Sequence, residues 1–292
     1  MSEKEVRPLY WSVRRELWEN RSLVMAPTMV ASLMLFGFLI SMFTLPHRMR
    51  AVIDATAGKQ RELVAMPHNV ISAMLLATTF VVAVFYCLDA FQSERMDRSI
   101  LFWKSLPVSD RTTVLAKALI PLCVLPVIVF VLTVIAQTIV LLASSVVLLT
   151  NPAGLRILWK YAYVFQSAFA LLYGVIVIVA WHAPIYAWLL LVSAWARRAA
   201  VLWAILPPLA LGVLERLLFR TTLIGELAKS RVIGWFTLAF SFPQKGSVSA
   251  LEPFHYLTPV TYLTSPGLWL GLLCAALFLA AAVRLRRNRE PM

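Results

Sequence analysis

The sequence predicts an all-α integral membrane protein, and three observations carry that expectation. Of 292 residues, 61% are hydrophobic and only 14% are charged, which is too little charge to cover the surface of a water-soluble domain of this size. The charges also avoid long stretches: residues 22–46, 63–88, 118–155, 161–196, 199–214 and 253–283 contain none. Finally, these runs are continuously apolar and lack the alternation of a barrel strand. In lipid, only a helix satisfies its own backbone hydrogen bonds without strand neighbours.

A helix needs about 20 apolar residues to cross the hydrocarbon core. The runs therefore predict six transmembrane helices, at 23–45, 68–88, 119–146, 161–194, 201–219 and 268–285, in a single transmembrane domain covering 1–292. The fourth run exceeds one crossing and is interrupted by His182-Ala183-Pro184. The expectation is one long, bent helix that reaches beyond the bilayer, because proline removes a backbone donor. Pro207 and Pro208 should kink the fifth span in the same way.

Residues 1–22 are expected to hold an N-terminal interfacial helix. Between Pro8 and Arg21, a helix puts Leu9, Tyr10, Val13 and Leu17 on one side, with Trp11, Arg14, Arg15 and Trp18 elsewhere. Such residues suit the headgroup level. The segment 220–266, before the last span, carries Trp235, Phe236, Phe240, Phe242, Phe254, Tyr256 and Tyr262, and is too apolar for a solvated loop. Its uncharged piece 232–243 is too short to span, which predicts a re-entrant or interfacial segment on the outer side. Pro243, Gly246, Pro253, Pro259 and Pro266 punctuate it.

The formal charge of +13 points to the membrane surface and its lipid, not to nucleic acid, because Lys and Arg gather at the ends of the apolar runs. The cluster Arg284, Arg286, Arg287 and Arg289 after the last run places the C-terminus inside; an even number of spans then puts both termini in the cytoplasm. The first run is long enough to stay in the membrane, so no cleavable signal is expected. Cys87, Cys123 and Cys274 lie within apolar runs and read as small buried hydrophobes. Asp89, and likewise Glu215 with Arg216, read as helix-end ion pairs. His47, His68, His182 and His255 are far apart, and neither H-E-x-x-H nor G-x-S-x-G occurs, so no metal site and no catalytic residue is expected.

The connection between spans two and three, 93–111, is the most informative stretch. It opens with alternating charge, Glu94, Arg95, Asp97 and Arg98, and continues with Ile100, Leu101, Phe102, Trp103 and Leu106 around Lys104. Pro107 should stop this helix and Ser109 should cap the next. An amphipathic helix of this kind rests on headgroups, closes the bundle or docks a cytosolic partner.

Two spans, then Glu94-Arg95 with Ser99 four residues after the arginine, then Ser105-Leu106-Pro107-Val108-Ser109, then Lys117 opening a long third span, resembles the permease subunit of type-2 ABC exporters. The six-span layout, the N-terminal helix and the apolar segment before the last span fit the same family. The resemblance implies a cytoplasmic coupling helix that sits in a cleft of an ATP-binding subunit. It makes Glu94, Arg95, Asp97, Arg98, Phe102, Trp103, Lys104, Leu106 and Pro107 the contact candidates. It also implies a bacterial cytoplasmic membrane, a second permease subunit (a second copy or a related chain), and ATP and Mg bound by the partner. The phosphate-binding pattern G-x-x-x-x-G-K-[ST] is absent, so the expectation is a separate ATPase chain and no enzymatic activity in this one. Two other function classes stay open: a secondary transporter or channel without an ATPase, which the scarcity of mid-span charge disfavours, and a membrane-embedded enzyme or scaffold.

Overall fold

The apolar runs fold as helices that extend well beyond their own apolar limits. A computed structural model describes residues 8–96, 109–162, 164–196, 198–240 and 257–288. In chain order the helices are α1 (Pro8–Glu19), α2 (Ser22–Ser41), α3 (Leu45–Ile53), α4 (Ala57–Asp89) and α5 (Gln92–Met96). They continue with α6 (Asp110–Leu119), α7 (Leu125–Val147), α8 (Pro152–Tyr161), α9 (Val164–Trp195) and α10 (Ala200–Phe219). The last four are α11 (Leu223–Ile233), α12 (Trp235–Ala239), α13 (Pro259–Leu263) and α14 (Pro266–Asn288). Among the described residues there is no strand, only an isolated bridge between Phe240 and Leu257. Six helical stretches are long and apolar enough to cross a membrane, and they match the six expected spans one for one. The chain is thus an all-helical, multi-pass membrane protein.

The expected boundaries were too tight. Span two begins at Ala57 and not near residue 68, and span three begins at Asp110 and not near 119. Hydropathy sees only the part of a helix that lipid requires to be apolar. The added turns are held by capping and packing: Ser109 Oγ accepts from the Thr112 amide at 3.2 Å at the start of α6, as its sequence position predicts. Span four is one continuous 32-residue helix through Pro184. At about 1.5 Å per residue it is about 48 Å long, against an apolar core of about 30 Å.

Span three contains a wide turn that the sequence reading did not anticipate. Over Ile120–Val124 the backbone is π-helical, and the Leu125 N–H reaches past Pro121 to the Ile120 carbonyl. Pro121 has no N–H to give to the regular ladder. Pro121 and Pro126 face Thr79, Phe80 and Tyr186 across a cavity of about 20 Å³, room for one water molecule.

The spans are arranged around α9, whose apolar window is 61% buried, whereas that of α10 is 6% buried. Span four therefore forms the spine and span five the edge. Lipid tails are as apolar as leucine, so helices here are joined by close packing and hydrogen bonds and not by water exclusion. Span four meets span six through Ala183, Ala187 and Ala275. On α14, Gly267, Gly271 and Ala275 recur every fourth residue and bring the backbones close. A Cβ at Gly271 would collide with the Arg231 guanidinium from α11. We expect Gly271→Leu to displace Arg231 and to lower stability by about 1–3 kcal/mol. A thermal unfolding curve in mild detergent measures this; an unchanged midpoint would mean that α11 does not pack here.

Short helices close the two ends of the bundle. At one end α3 and α8 pack together through Met49, Val52 and Leu158 on Val64 and Leu148, and α12 and α13 cover Val177, Trp181 and Leu268. At the other end α1 lies against the start of span three, with Val13 and Leu17 packed on a cluster that includes Tyr86, Phe91, Val114 and Leu190. The segment 220–266 was expected to form its helix over 232–243; α11 begins earlier, at Leu223, and α12 is a short extension of it. Glu215 does not act as a helix-end ion pair. Its carboxylate accepts from the backbone amides of Leu223 and Ile224 and from the Thr221 hydroxyl, and so caps α11. Of the three cysteines only Cys87 is buried; Cys123 and Cys274 lie on the outward surface, a correction to the reading of all three as core residues.

Candidate functional site

At the end of the bundle that carries α1, six charged side chains from four helices converge. Glu16 of α1 is 1% exposed and Lys117 of α6 is 2% exposed. Lys117 Nζ sits between two carboxylates, 2.9 Å from Glu16 Oε1 and 3.0 Å from Glu94 Oε1. The Tyr86 hydroxyl of span two donates to Glu16 Oε2 at 2.9 Å. Arg15 Nη2 lies 3.0 Å from Glu16 and 3.6 Å from Glu94. From the last span, Arg286 Nη1 donates to Glu94 Oε2 at 3.1 Å while its Nε donates to Asp110 Oδ1 at 3.0 Å.

Arg286 thus joins the two feet of the connection between spans two and three. Glu94 stands on α5 just before it, and Asp110 opens α6 just after it. Phe91 fills the space beneath, with Lys117 Nζ 5.3 Å and Arg286 Cζ 5.4 Å from its ring centre, a geometry that favours both cations. The Phe91 amide donates to Ser193 Oγ of span four at 2.9 Å, and Gln92 Oε1 accepts from the Ala200 amide of span five at 3.3 Å. Every span but the first is therefore held to this corner by a polar contact, and the first is joined to it through α1.

Why these helices carry these charges follows from the packing. A carboxylate out of water is costly unless it is paired and hydrogen-bonded. Burial alone pushes the Glu16 carboxyl up. The Lys117 ammonium, with hydrogen bonds from Lys117, Arg15 and Tyr86, outweighs that and holds it below its ordinary value of 4.5. Glu19, half exposed on the next turn, is raised by burial against the Arg15 charge. A carboxylate with a depressed folded value adds stability above its unfolded value and loses it as pH falls through the folded one. Docking of α1 is therefore expected to be constant at neutral pH and to weaken below about pH 4.3, the unfolded Glu value. Glu16→Gln should abolish that acid limb in a pH series of unfolding midpoints; an acid limb that survives the substitution would place its origin elsewhere.

Of the contact candidates proposed from sequence, Glu94 is placed by the structure at 7% exposure, turned into this cluster. Arg95 continues α5. Asp97, Arg98, Phe102, Trp103, Lys104, Leu106 and Pro107 lie outside the described residues. Sequence reasoning missed Glu16, Tyr86, Asp110 and Arg286 as members of one cluster. A signal for Glu16 was present: in a helix it shares a side with Val13 and Leu17, so an acid sits on the apolar face. Among the described residues no group of His, Cys, Asp and Glu is placed to hold a metal ion. Each acid in the cluster faces a cation, so the arrangement fastens helices to one another.

No protein-family model, no curated protein and no solved structure matches this chain.

Proposed function

We propose that this chain is the membrane-spanning permease subunit of an ATP-driven exporter. It works with a cytosolic ATPase subunit that binds ATP and Mg, and with a second permease. The observation that carries the reading is the double grip of Arg286 on Glu94 and Asp110. A connection that merely joins two spans needs no anchorage to a third. One whose two feet are fixed to the last span, and through Lys117 to α1, passes a push on residues 97–108 to several spans together. The amphipathic sequence between the feet, with Phe102 and Trp103, supplies the aromatic anchors that protein interfaces favour. On this reading the end of the bundle that carries α1 faces the cytoplasm.

A secondary transporter is the second reading. A polar group between spans two and three favours it: Gln137 Nε2 donates to Ser72 Oγ at 2.8 Å and to the His68 carbonyl at 3.2 Å. Polar side chains at such depth commonly mark solute or ion paths.

One experiment separates the two. The chain, tagged at its C-terminus, is purified from native membranes in mild detergent, and co-purifying ATPase protein and ATP hydrolysis are measured. The expected result is a companion ATPase whose recovery falls about tenfold in Phe102→Ala/Trp103→Ala, as for loss of an interface anchor, while the permease elutes as a single folded species. A folded wild-type chain that brings no ATPase through several detergents would overturn the reading and direct attention to ion-gradient transport.

A further inference from the structure

The end of α11 is tied to span four by donors that its own helix does not supply. A helix leaves its last carbonyls without intrahelical partners. Here the Trp181 indole N–H donates to the Ser230 carbonyl at 2.9 Å, and His182 Nε2 lies 3.3 Å from the Val232 carbonyl. The other ring nitrogen, Nδ1, lies 2.7 Å from the Ile178 carbonyl, one turn back in α9. Both partners of the ring are carbonyl oxygens, which only accept. A neutral imidazole carries a single N–H and serves one of them; an imidazolium carries two and serves both.

We propose that His182 is a proton-binding site, and that the bound proton fastens α11 to span four. The shorter Nδ1 contact lies within one helix and is kept by the neutral ring. The contact across to Val232 is the one that requires the second N–H. When the proton leaves, the Val232 carbonyl is not orphaned, because the Trp235 indole also donates to it at 3.2 Å. Loss of that contact therefore strands no acceptor; Trp181 keeps its hold on Ser230, and the two states differ by one charge-assisted bond.

The site is closed to anything larger than a proton. The residue is 4% exposed, and the ring stands 4.9 Å from Phe80 of span two. The titratable groups around it come from several elements. Tyr186 on its own helix is 6.3 Å away by ring centres, and Cys87 of α4 lies beside Tyr186. From α11 comes the Arg231 guanidinium, which stacks on Trp181 and donates to the Gly267 carbonyl of α14. From α13 comes Tyr262, whose hydroxyl donates to the Val177 carbonyl at 3.0 Å. Among the described residues no carboxylate acts on the ring, and burial and the Arg231 guanidinium weigh against a second proton, so the two carbonyls are what favours it. This inference goes beyond the exporter reading and does not depend on it, since it needs only the packing of α9 against α11.

The test uses the full chain in lipid nanodiscs with ¹⁵N-labelled histidine. Imidazole nitrogen signals are followed from about pH 5 to about pH 9, the range in which histidine titrates. The His182 signal is identified by its loss in His182→Phe, or by elimination with His47→Asn, His68→Asn and His255→Asn should the Phe variant fail to fold. The expected result is a ring that passes from one protonated nitrogen to two as pH falls. In parallel, amide exchange over residues 230–235, corrected for intrinsic rates, should slow about tenfold on the protonated side, the weight of one charge-assisted hydrogen bond. His182→Phe keeps the ring packing on Phe80 and should remove that pH dependence. A His182 ring with one unchanging protonation state across the range, or exchange in α11 whose pH dependence survives His182→Phe, overturns the proposal.

Discussion

Replacing Lys117 by methionine is expected to lower the unfolding free energy by about 3 kcal/mol, the low end of the cost of breaking a buried ion pair. The ammonium is the cation shared between Glu16 and Glu94, at 2.9 and 3.0 Å, and its side chain is 3% exposed. Without it two buried carboxylates face each other. The loss is not larger because Glu16 keeps Arg15 and Tyr86, and Glu94 keeps Arg286. Adding Glu16→Gln to Lys117→Met removes one of the stranded charges and should restore about 1 kcal/mol or more, the non-additivity expected of residues in contact. Reversible unfolding in mixed micelles measures both. Single and double variants that simply add, or a Lys117→Met cost under about 1 kcal/mol, would show that the cluster is far wetter than its geometry implies.

Replacing Arg286 by glutamine is expected to act less on global stability and more on the connection between spans two and three. The cost to the fold should be about 2 kcal/mol, because Glu94 retains Lys117 and Asp110 is partly exposed. Locally, both feet lose their common tie. Trypsin cleavage at Arg95, Arg98 or Lys104, compared with that of the wild-type chain, should accelerate about tenfold, as the opening free energy of that unit falls by roughly 1.4 kcal/mol. Arg286→Lys should not restore the slow rate, since one ammonium nitrogen does not reproduce the planar fork whose Nε and Nη1 each reach a different acid. Identical cleavage in wild type and Arg286→Gln would mean that the connection is held by contacts other than these.

The spans were legible because lipid imposes one simple rule, a long apolar run for every crossing, and the sequence obeys it six times. Their ends were not, because outside the apolar core a helix is held by packing and capping, which leave little trace in hydropathy. Residues 57–66 of α4 and 110–118 of α6 carry charge and fell outside the expected spans, although a helix after the Ser109 cap was expected; both are helical and run on into the spans. The charges at span ends were read singly, as topology signals. Arg286 was counted as one of a basic C-terminal cluster, whereas its side chain reaches back across 192 residues of sequence to Glu94. Nothing local to Glu94 or Arg286 reveals that pairing; it follows from how six helices pack. The wide turn at Ile120–Val124 was hidden for a different reason: Pro121 forbids one hydrogen bond, but a kink, a break and a π turn all answer that loss.

The sum of the charges in the corner cluster has an electrical consequence. Among the described residues, Glu16, Glu94 and Asp110 face Arg15, Lys117 and Arg286, so equal numbers of opposite charges travel together. A membrane potential does work of about 2.3 kcal/mol on each elementary charge moved through about 100 mV. On a set with no net charge that moves as one body, the work cancels. These six charges therefore add no voltage dependence to a displacement of the corner, and a membrane potential acts on it through the other charges of the same helices, such as Glu19, Arg14 and Arg287.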